Sequence, residues 1–410
     1  MDNRQVKMKK ILIVCSYFDG QSTGSLRMRA LHDSLCRQGH SVQVFTHFFA
    51  GSENMTGVYA PRDKAISVDH YSSTLGVMYR AYRKLAYYCL GINYHSFYRN
   101  FLKVSADQGA FEGLEGLDAV IVSVPQPEFI DVAIAVSNKY VCPLFVDFRD
   151  GLTFEPLGRN NWLSSYFNHR LERRGIMNAK AVVTVSDALT NDFRHRYSDQ
   201  SEFFTITNGF KTDTQGLAVS QIAPQPTVFQ DSNGRVNILY SGAIERSRLS
   251  IFQSLEAFET AIALLEREIK NRLNIVFVGS YSEREVLKIQ TFGTVISPVS
   301  RDEIAVAQAQ ADYLLLFTGP DQSVVTMKLF DYLLARKPIV SIGNAPTPGR
   351  ILSESGAGQQ YSLSAIEDIA LALTKLRAGQ ESLGTDIDDY HVDRLMDNFT
   401  QLVFTSIEND

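Results

Sequence analysis

No uninterrupted apolar stretch in this 410-residue chain approaches the roughly 20 residues that a membrane span requires, so no membrane-crossing helix is predicted. The apolar run at 11–15 follows Met1 almost at once and is too short for a secretory leader, which makes a cytoplasmic protein the expectation. Cysteine is scarce. Cys15, Cys36, Cys89 and Cys142 are scattered and lack metal-ligand spacing, which fits reduced, mostly buried thiols rather than a metal module. Charge of one sign is also lacking: 40 Lys and Arg against 45 Asp and Glu leave a formal net charge of −5. Nothing therefore pulls the whole chain toward nucleic acid, and any site for a polyanion must be local. Short-period repeats, low-complexity tracts and the dinucleotide-binding Gly-x-Gly-x-x-Gly pattern are absent as well.

Hydrophobic residues make up 45% of the chain, enough for two cores, and the length suggests two domains. Short β-branched runs at 10–16, 41–46, 118–124, 143–147 and 180–185 alternate with helical patterns at 24–38 and from 128. This is the rhythm of a parallel α/β sheet. Residues 215–233, rich in Gln, Pro, Ala and Ser, break it. The rhythm restarts with strands at 236–241, 273–279, 294–297, 312–317 and 337–342, and with helices near 252–266 and at Lys328. Val392, Leu395, Met396, Phe399, Leu402 and Val403 have the spacing of a closing helix. The expected division is an N-terminal domain at 1–214, a linker at 215–235, a C-terminal domain at 236–385 and a final helix at 386–410.

Several segments carry chemistry at predicted strand ends, where open α/β sheets bind ligands. After the first strand a loop with Ser22, Thr23 and Gly24 enters a helix bearing Arg27 and Arg29, although an ordinary βα turn would read the same way. Asp147, Arg149 and Asp150 cluster where a buried strand runs out, a costly arrangement unless the charges are paired or used. Ser186 and Asn208-Gly209 read equally well as a helix cap and a turn. In the second half, Gly242 lets backbone approach a diphosphate, and Arg246 and Arg248 follow within reach. Lys328 lies near a helix N-terminus, which suits phosphate, and Asp331 follows one turn later, which suits a sugar hydroxyl. The plainer alternative is an exposed i,i+3 ion pair of ~0.2–0.5 kcal/mol.

Taken in order, these segments resemble the retaining GT-B glycosyltransferases of family four, the glycogen-synthase-like group. The stretch Lys328-Leu-Phe-Asp-Tyr-Leu333 followed by Lys337-Pro338 resembles the family's donor segment, and Gly39-His40-x-Val42 its opening. Asp147-Phe-Arg-Asp150 is similar to the Asp-x-Arg-Asp motif of one branch. The resemblance implies two Rossmann-like domains facing across a cleft, with the last helix crossing back to the first domain. It places Gly24 and Arg27 on the cleft lining, Asp150 near the acceptor as general base, and Gly242 with Arg248, or alternatively Arg246, on the diphosphate. Gly279 falls near the nucleotide base, Lys328 on phosphate and Asp331 near a ribose hydroxyl. Ser323, a further donor-binding candidate that can hydrogen-bond a sugar hydroxyl but supplies no charge, stands where many relatives carry Glu, Lys211 stands where they carry Asp, and 123–127 lacks their His.

The activity implied is transfer of a sugar, with retention, from a nucleotide-sugar donor to a glycan or lipid-linked acceptor in surface polysaccharide synthesis. It implies no metal and no resident cofactor. A non-catalytic scaffold or regulatory glycan-binding subunit of the same fold is the alternative, and a nucleotide-sugar epimerase is a third reading. Residues 77–103 place Arg80, Arg83 and Lys84 opposite an apolar face, with Tyr94, Phe97, Tyr98 and Phe101 following. This basic amphipathic pattern suits an anionic membrane surface or a helix packed on the sheet, so a peripheral location at the inner membrane face is expected on the first reading.

Overall fold

The computed structural model of the chain describes residues 8–18, 23–48, 57–59, 113–124, 128–154, 162–198, 202–211, 227–229, 234–244, 251–320, 325–379 and 387–408. The basic stretch 77–103, together with Arg246, Arg248 and Ser323, lies outside the described residues. The chain divides into two compact units, Met1–Asn208 with Val392–Asp410, and Gly209–His391.

The first unit contains β1 (Lys10–Tyr17), α1 (Thr23–Arg37), β2 (Ser41–Phe48), β3 (Gly57–Tyr59), β4 (Ala119–Val124) and α2 (Glu128–Tyr140). It continues with β5 (Leu144–Phe148), α3 (Trp162–Asn178), β6 (Ala181–Thr184), α4 (Asp187–Arg196) and β7 (Glu202–Thr205). Its seven described strands are parallel and run β3-β2-β1-β4-β5-β6-β7. Every residue of β4 and β5 is buried, as expected of central parallel strands covered on both faces. Ser186 takes the plain role: its hydroxyl caps α4 by accepting from the Leu189 N–H.

The second unit repeats the plan with β8 (Val236–Ser241), α5 (Phe252–Ala263), α6 (Arg267–Arg272), β9 (Leu273–Val278), α7 (Glu283–Ile289) and β10 (Thr294–Ile296). Then follow α8 (Arg301–Gln310), β11 (Tyr313–Gly319), α9 (Met327–Leu334), β12 (Ile339–Gly343), α10 (Pro346–Ser355), β13 (Gly358–Tyr361) and α11 (Ile366–Lys375). Its described strands run β10-β9-β8-β11-β12-β13. Capping boxes start α7, from Ser282 and Glu285, and α8, from Ser300 and Glu303, which fixes where the chain leaves β9 and β10. In both sheets the strand order reverses direction beside the first strand, between β1 and β4 and between β8 and β11. Such switch points open a crevice at the carboxyl ends of the strands.

The closing helix α12 (Val392–Glu408), whose helical spacing the sequence shows, belongs to the first unit, the placement that the family resemblance implies. Met396, Phe399 and Val403 are fully buried in the same cluster as Leu31 and Leu35 of α1. Ser34 donates to Asp397 and shares a hydrogen bond with Thr400, while Arg37 pairs with Asp397 at 2.9 Å. His40 is a structural turn residue whose ring stacks on Phe404 and accepts from the Lys9 N–H.

Two expectations change. Within the stretch read as an aperiodic linker, Thr227–Phe229 forms a 3-10 turn whose Val228 is buried in the second unit's core, because an apolar residue amid polar neighbours finds a packing site there. Cys36 is exposed although Cys15 and Cys142 are buried, since it falls on the outer side of α1. Among the described residues no helix is long and apolar enough to cross a membrane.

Removing the Phe399 ring should leave a cavity where α12 meets the first sheet. Phe399→Ala is expected to destabilise the protein by ~3–5 kcal/mol, read as a lowered midpoint in denaturant unfolding. A loss below ~1 kcal/mol would show that α12 is not part of that core.

Candidate functional site

The second unit gathers its chemistry at the carboxyl end of β8. Tyr332, four residues after Lys328 on α9 and so on the same helical face, places its hydroxyl 3.0 Å from the Ser241 N–H, which donates to it. Gln308 of α8 donates to the Ser241 hydroxyl at 3.2 Å. With the strand end held this way, the chain turns at Gly242, whose φ of +111° disfavours any side chain. A Cβ built there would also stand 2.5 Å from Lys328 Cε and 2.7 Å from its Nζ. The missing side chain is the space the lysine occupies. Gly279 closes the other flank, because a Cβ on it would lie 2.7 Å from the Gly242 carbonyl oxygen.

Lys328 Nζ donates to Tyr240 Oη at 2.7 Å and to the Ala243 carbonyl at 3.3 Å, and sits 4.3 Å from the Tyr240 ring centroid. Among the described residues it has no carboxylate partner. Asp331, one turn along, is exposed and forms no ion pair with it, so the surface ion-pair reading does not hold. Burial without a counter-ion lowers the ammonium pKa to about 7. The Tyr240 phenol is fully buried, and desolvation drives its pKa well upward, so it remains a neutral hydroxyl. Tyr281 adds a second phenol beside Gly279, and its buried oxygen has no hydrogen-bond partner among the described residues.

This geometry brings together Lys328, Gly242 and Gly279 of the expected site and leaves Asp331 at the surface. Tyr240, Tyr281, Tyr332 and Gln308 were not read as functional. Tyr332 could have been found from its i,i+4 spacing to Lys328, whereas Gln308 has no sequence signal because it arrives from a different helix.

In the first unit the structure corrects two expectations. Arg27, expected to line a ligand surface, is 2% exposed and fully engaged. Its Nε and Nη2 bond Asp147, at 2.8 Å for the shortest contact, and its Nη1 donates to the Thr207 carbonyl at 2.8 Å. Ser123 also donates to Asp147. The pair is structural because Asp147 is completely buried at the end of β5 and needs a cation to be there. Gly24 likewise lines no open surface, since the Arg149 side chain packs against it. Asp150, just beyond, is exposed. The following segment is tied down by buried Glu172, which accepts from the Thr153 N–H and from Arg196 and Tyr197.

No protein-family model matches this chain, and no curated protein does. Solved structures do. A UDP-forming alpha,alpha-trehalose-phosphate synthase from Burkholderia vietnamiensis aligns with a TM-score of 0.61 at 12% identity, covering 98% of this chain and 100% of the other. Sucrose-phosphate synthase from Thermosynechococcus elongatus aligns at 0.57 and 12% identity, over 98% and 100%. An E. coli trehalose-6-phosphate structure bound with UDP-2-fluoro glucose aligns at 0.59 and 8% identity, over 98% and 99%. The chain has the GT-B fold. At these identities the likeness is one of fold, two Rossmann-like domains built on parallel sheets. In GT-B terms, Lys328 and Gly242 stand at the carboxyl edge of the second domain.

The lysine supplies a pH test. With its folded pKa near 7 and its unfolded value near the ordinary 10.5, the unfolded chain binds more protons between those values, so stability should rise with pH across that window. Lys328→Met should flatten that rise, and the two stability profiles should converge near the upper limit. Parallel profiles from pH 7 to 10 would show that the ammonium is not desolvated.

Proposed function

We propose that this protein is a glycosyltransferase that takes a sugar from a nucleotide-sugar donor held by its second domain. The observation that carries the reading is Lys328: a lysine seated on Tyr240 and threaded past Gly242, with no carboxylate partner among the described residues. An unmatched cation at the carboxyl edge of a doubly wound sheet, beside the N-terminus of α9, suits an incoming diphosphate. The similar structures support it, since one is UDP-forming and another is bound with UDP-2-fluoro glucose.

Departure of a nucleoside diphosphate leaves positive character on the sugar and negative charge on the phosphates. The site therefore needs a placed cation and backbone dipoles more than a protein nucleophile. Lys328 provides the cation, and its low pKa means that diphosphate binding draws a proton onto the nitrogen. The backbone at Gly242 and Gly279 leaves room for close approach. Arg248 or Arg246 follows Gly242 in the chain as a further phosphate ligand.

In this reading the sugar keeps its configuration, as the motif resemblance implies. The leaving phosphate and Asp150 share deprotonation of a glycan or lipid-linked acceptor hydroxyl, in the service of surface polysaccharide assembly. No metal step is invoked.

Incubation with a panel of nucleotide sugars should release nucleoside diphosphate from one of them, and Lys328→Ala should lower kcat/KM for that donor about 100-fold or more. Turnover at the wild-type rate in the variant would overturn the assignment. Binding of a donor without release under any acceptor would favour the scaffold reading instead.

A further inference from the structure

Arg149 is the first residue beyond β5, and among the described residues its side chain makes no hydrogen bond or ion pair. Its Nε is buried without a partner there. The obvious counter-ion is already taken: Asp147 is bonded by Arg27 through three contacts and by Ser123 through one. Asp150, within electrostatic range, is exposed to water. Desolvation lowers the Arg149 pKa, with Asp147 and Asp150 opposing and Arg27 adding to the fall. The Nε–H is a buried donor without a partner, which is costly to leave unmatched on a half-buried cation.

The position of the head group is set sterically. A Cβ built on Gly24 would lie 1.6 Å from Arg149 Nη1, 2.3 Å from Cζ and 2.7 Å from Nη2, so the guanidinium rests on the one residue at the start of α1 that has no side chain. The Arg27 guanidinium lies close enough to repel it. An arginine kept only for structure would sit on Asp147 or in water. This one is kept off Asp147 by the Arg27 pairing and is half-buried, with its Nε shut away from water.

We propose that Arg149, seated on Gly24, binds an oxyanion, a phosphate or carboxylate carried by the acceptor, so that the acceptor is an anionic sugar or glycan. The proposal rests on the glycosyltransferase reading for the word acceptor, but the anion site stands on its own geometry. A planar fork with free donors matches either oxyanion through paired hydrogen bonds. The first turn of α1 adds favourable N-terminal partial charge.

The test uses binding to the full chain, with inorganic phosphate, glucose 6-phosphate, glucuronate and glucose as probes and thermal shift and calorimetry as readouts. The wild-type chain should bind at least one charged sugar and bind glucose much more weakly, with the phosphate and carboxylate arms showing which oxyanion is preferred. Arg149→Gln should weaken that charged sugar about tenfold or more, while binding of a panel of nucleoside diphosphates stays within about twofold. Lys328→Gln should do the reverse, weakening the diphosphates and sparing the charged sugar. Gly24→Ala, which displaces the guanidinium without removing it, should also weaken the sugar and guards against an Arg149→Gln chain that fails to fold.

Unchanged affinity in both first-domain variants, glucose binding equal to the charged sugars, or no oxyanion binding by the wild-type chain would overturn the proposal. If the charged sugar behaves as expected but no nucleoside diphosphate binds, the transferase reading falls and the Arg149 site remains.

Discussion

Lys328 loses water on folding without gaining a carboxylate among the described residues, and the packing at the end of β8 serves to hold it in that condition. Left to itself, such an ammonium would swing into solvent. The Tyr240 ring gives it a cation-facing surface, a contact of roughly 1–2 kcal/mol when partly desolvated. That ring is itself packed against Phe277 and Phe317, with centroids 5.1 and 4.9 Å away. Tyr332 ties the strand end, and Gly242 removes the obstacle that a side chain would be. The lysine is thereby set against a scaffold too well packed to follow it. A ligand bearing diphosphate would find the amine already placed and draw a proton onto it.

The first domain handles charge at the same edge of its sheet in two contrasting ways. Arg27 and Asp147 are matched to one another deep in the core, and removing either alone would strand its partner, at a cost of ~3–5 kcal/mol for buried pairs. Arg149, two residues beyond that aspartate, is unmatched. The difference follows from order along the chain: Asp147 lies within β5 and is bonded by Arg27 of α1, while Arg149 has left the strand. One arginine is consumed by the fold and the other is left available for an anion.

Much of this architecture could be read in the residues. The strand at Val236–Ser241 was legible to its bounds, and those at β1, β4 and β9 nearly so, because continuous β-branched runs buried on two faces have few other solutions. The edge strands Glu202–Thr205 and Gly358–Tyr361 were not, since an edge strand with half-exposed polar residues has neither an apolar run nor clean alternation. At the site, Lys328 was legible from its place at a helix start. The roles of Tyr240 and Gln308 were not, because each depends on a neighbour in a different element.

The sequence by itself determined the two α/β halves, a closing amphipathic helix and the presence of a lysine and glycines at strand ends, all of which depend on local period and on residues close together in the chain. Only the tertiary structure decided which charges are spent and which are free. Arg27 meets Asp147 across 120 residues, and Arg149 is denied that same carboxylate by a pairing that no local pattern records. Burial and pairing are properties of neighbours in space, and the energies that separate a structural arginine from a binding one arise there.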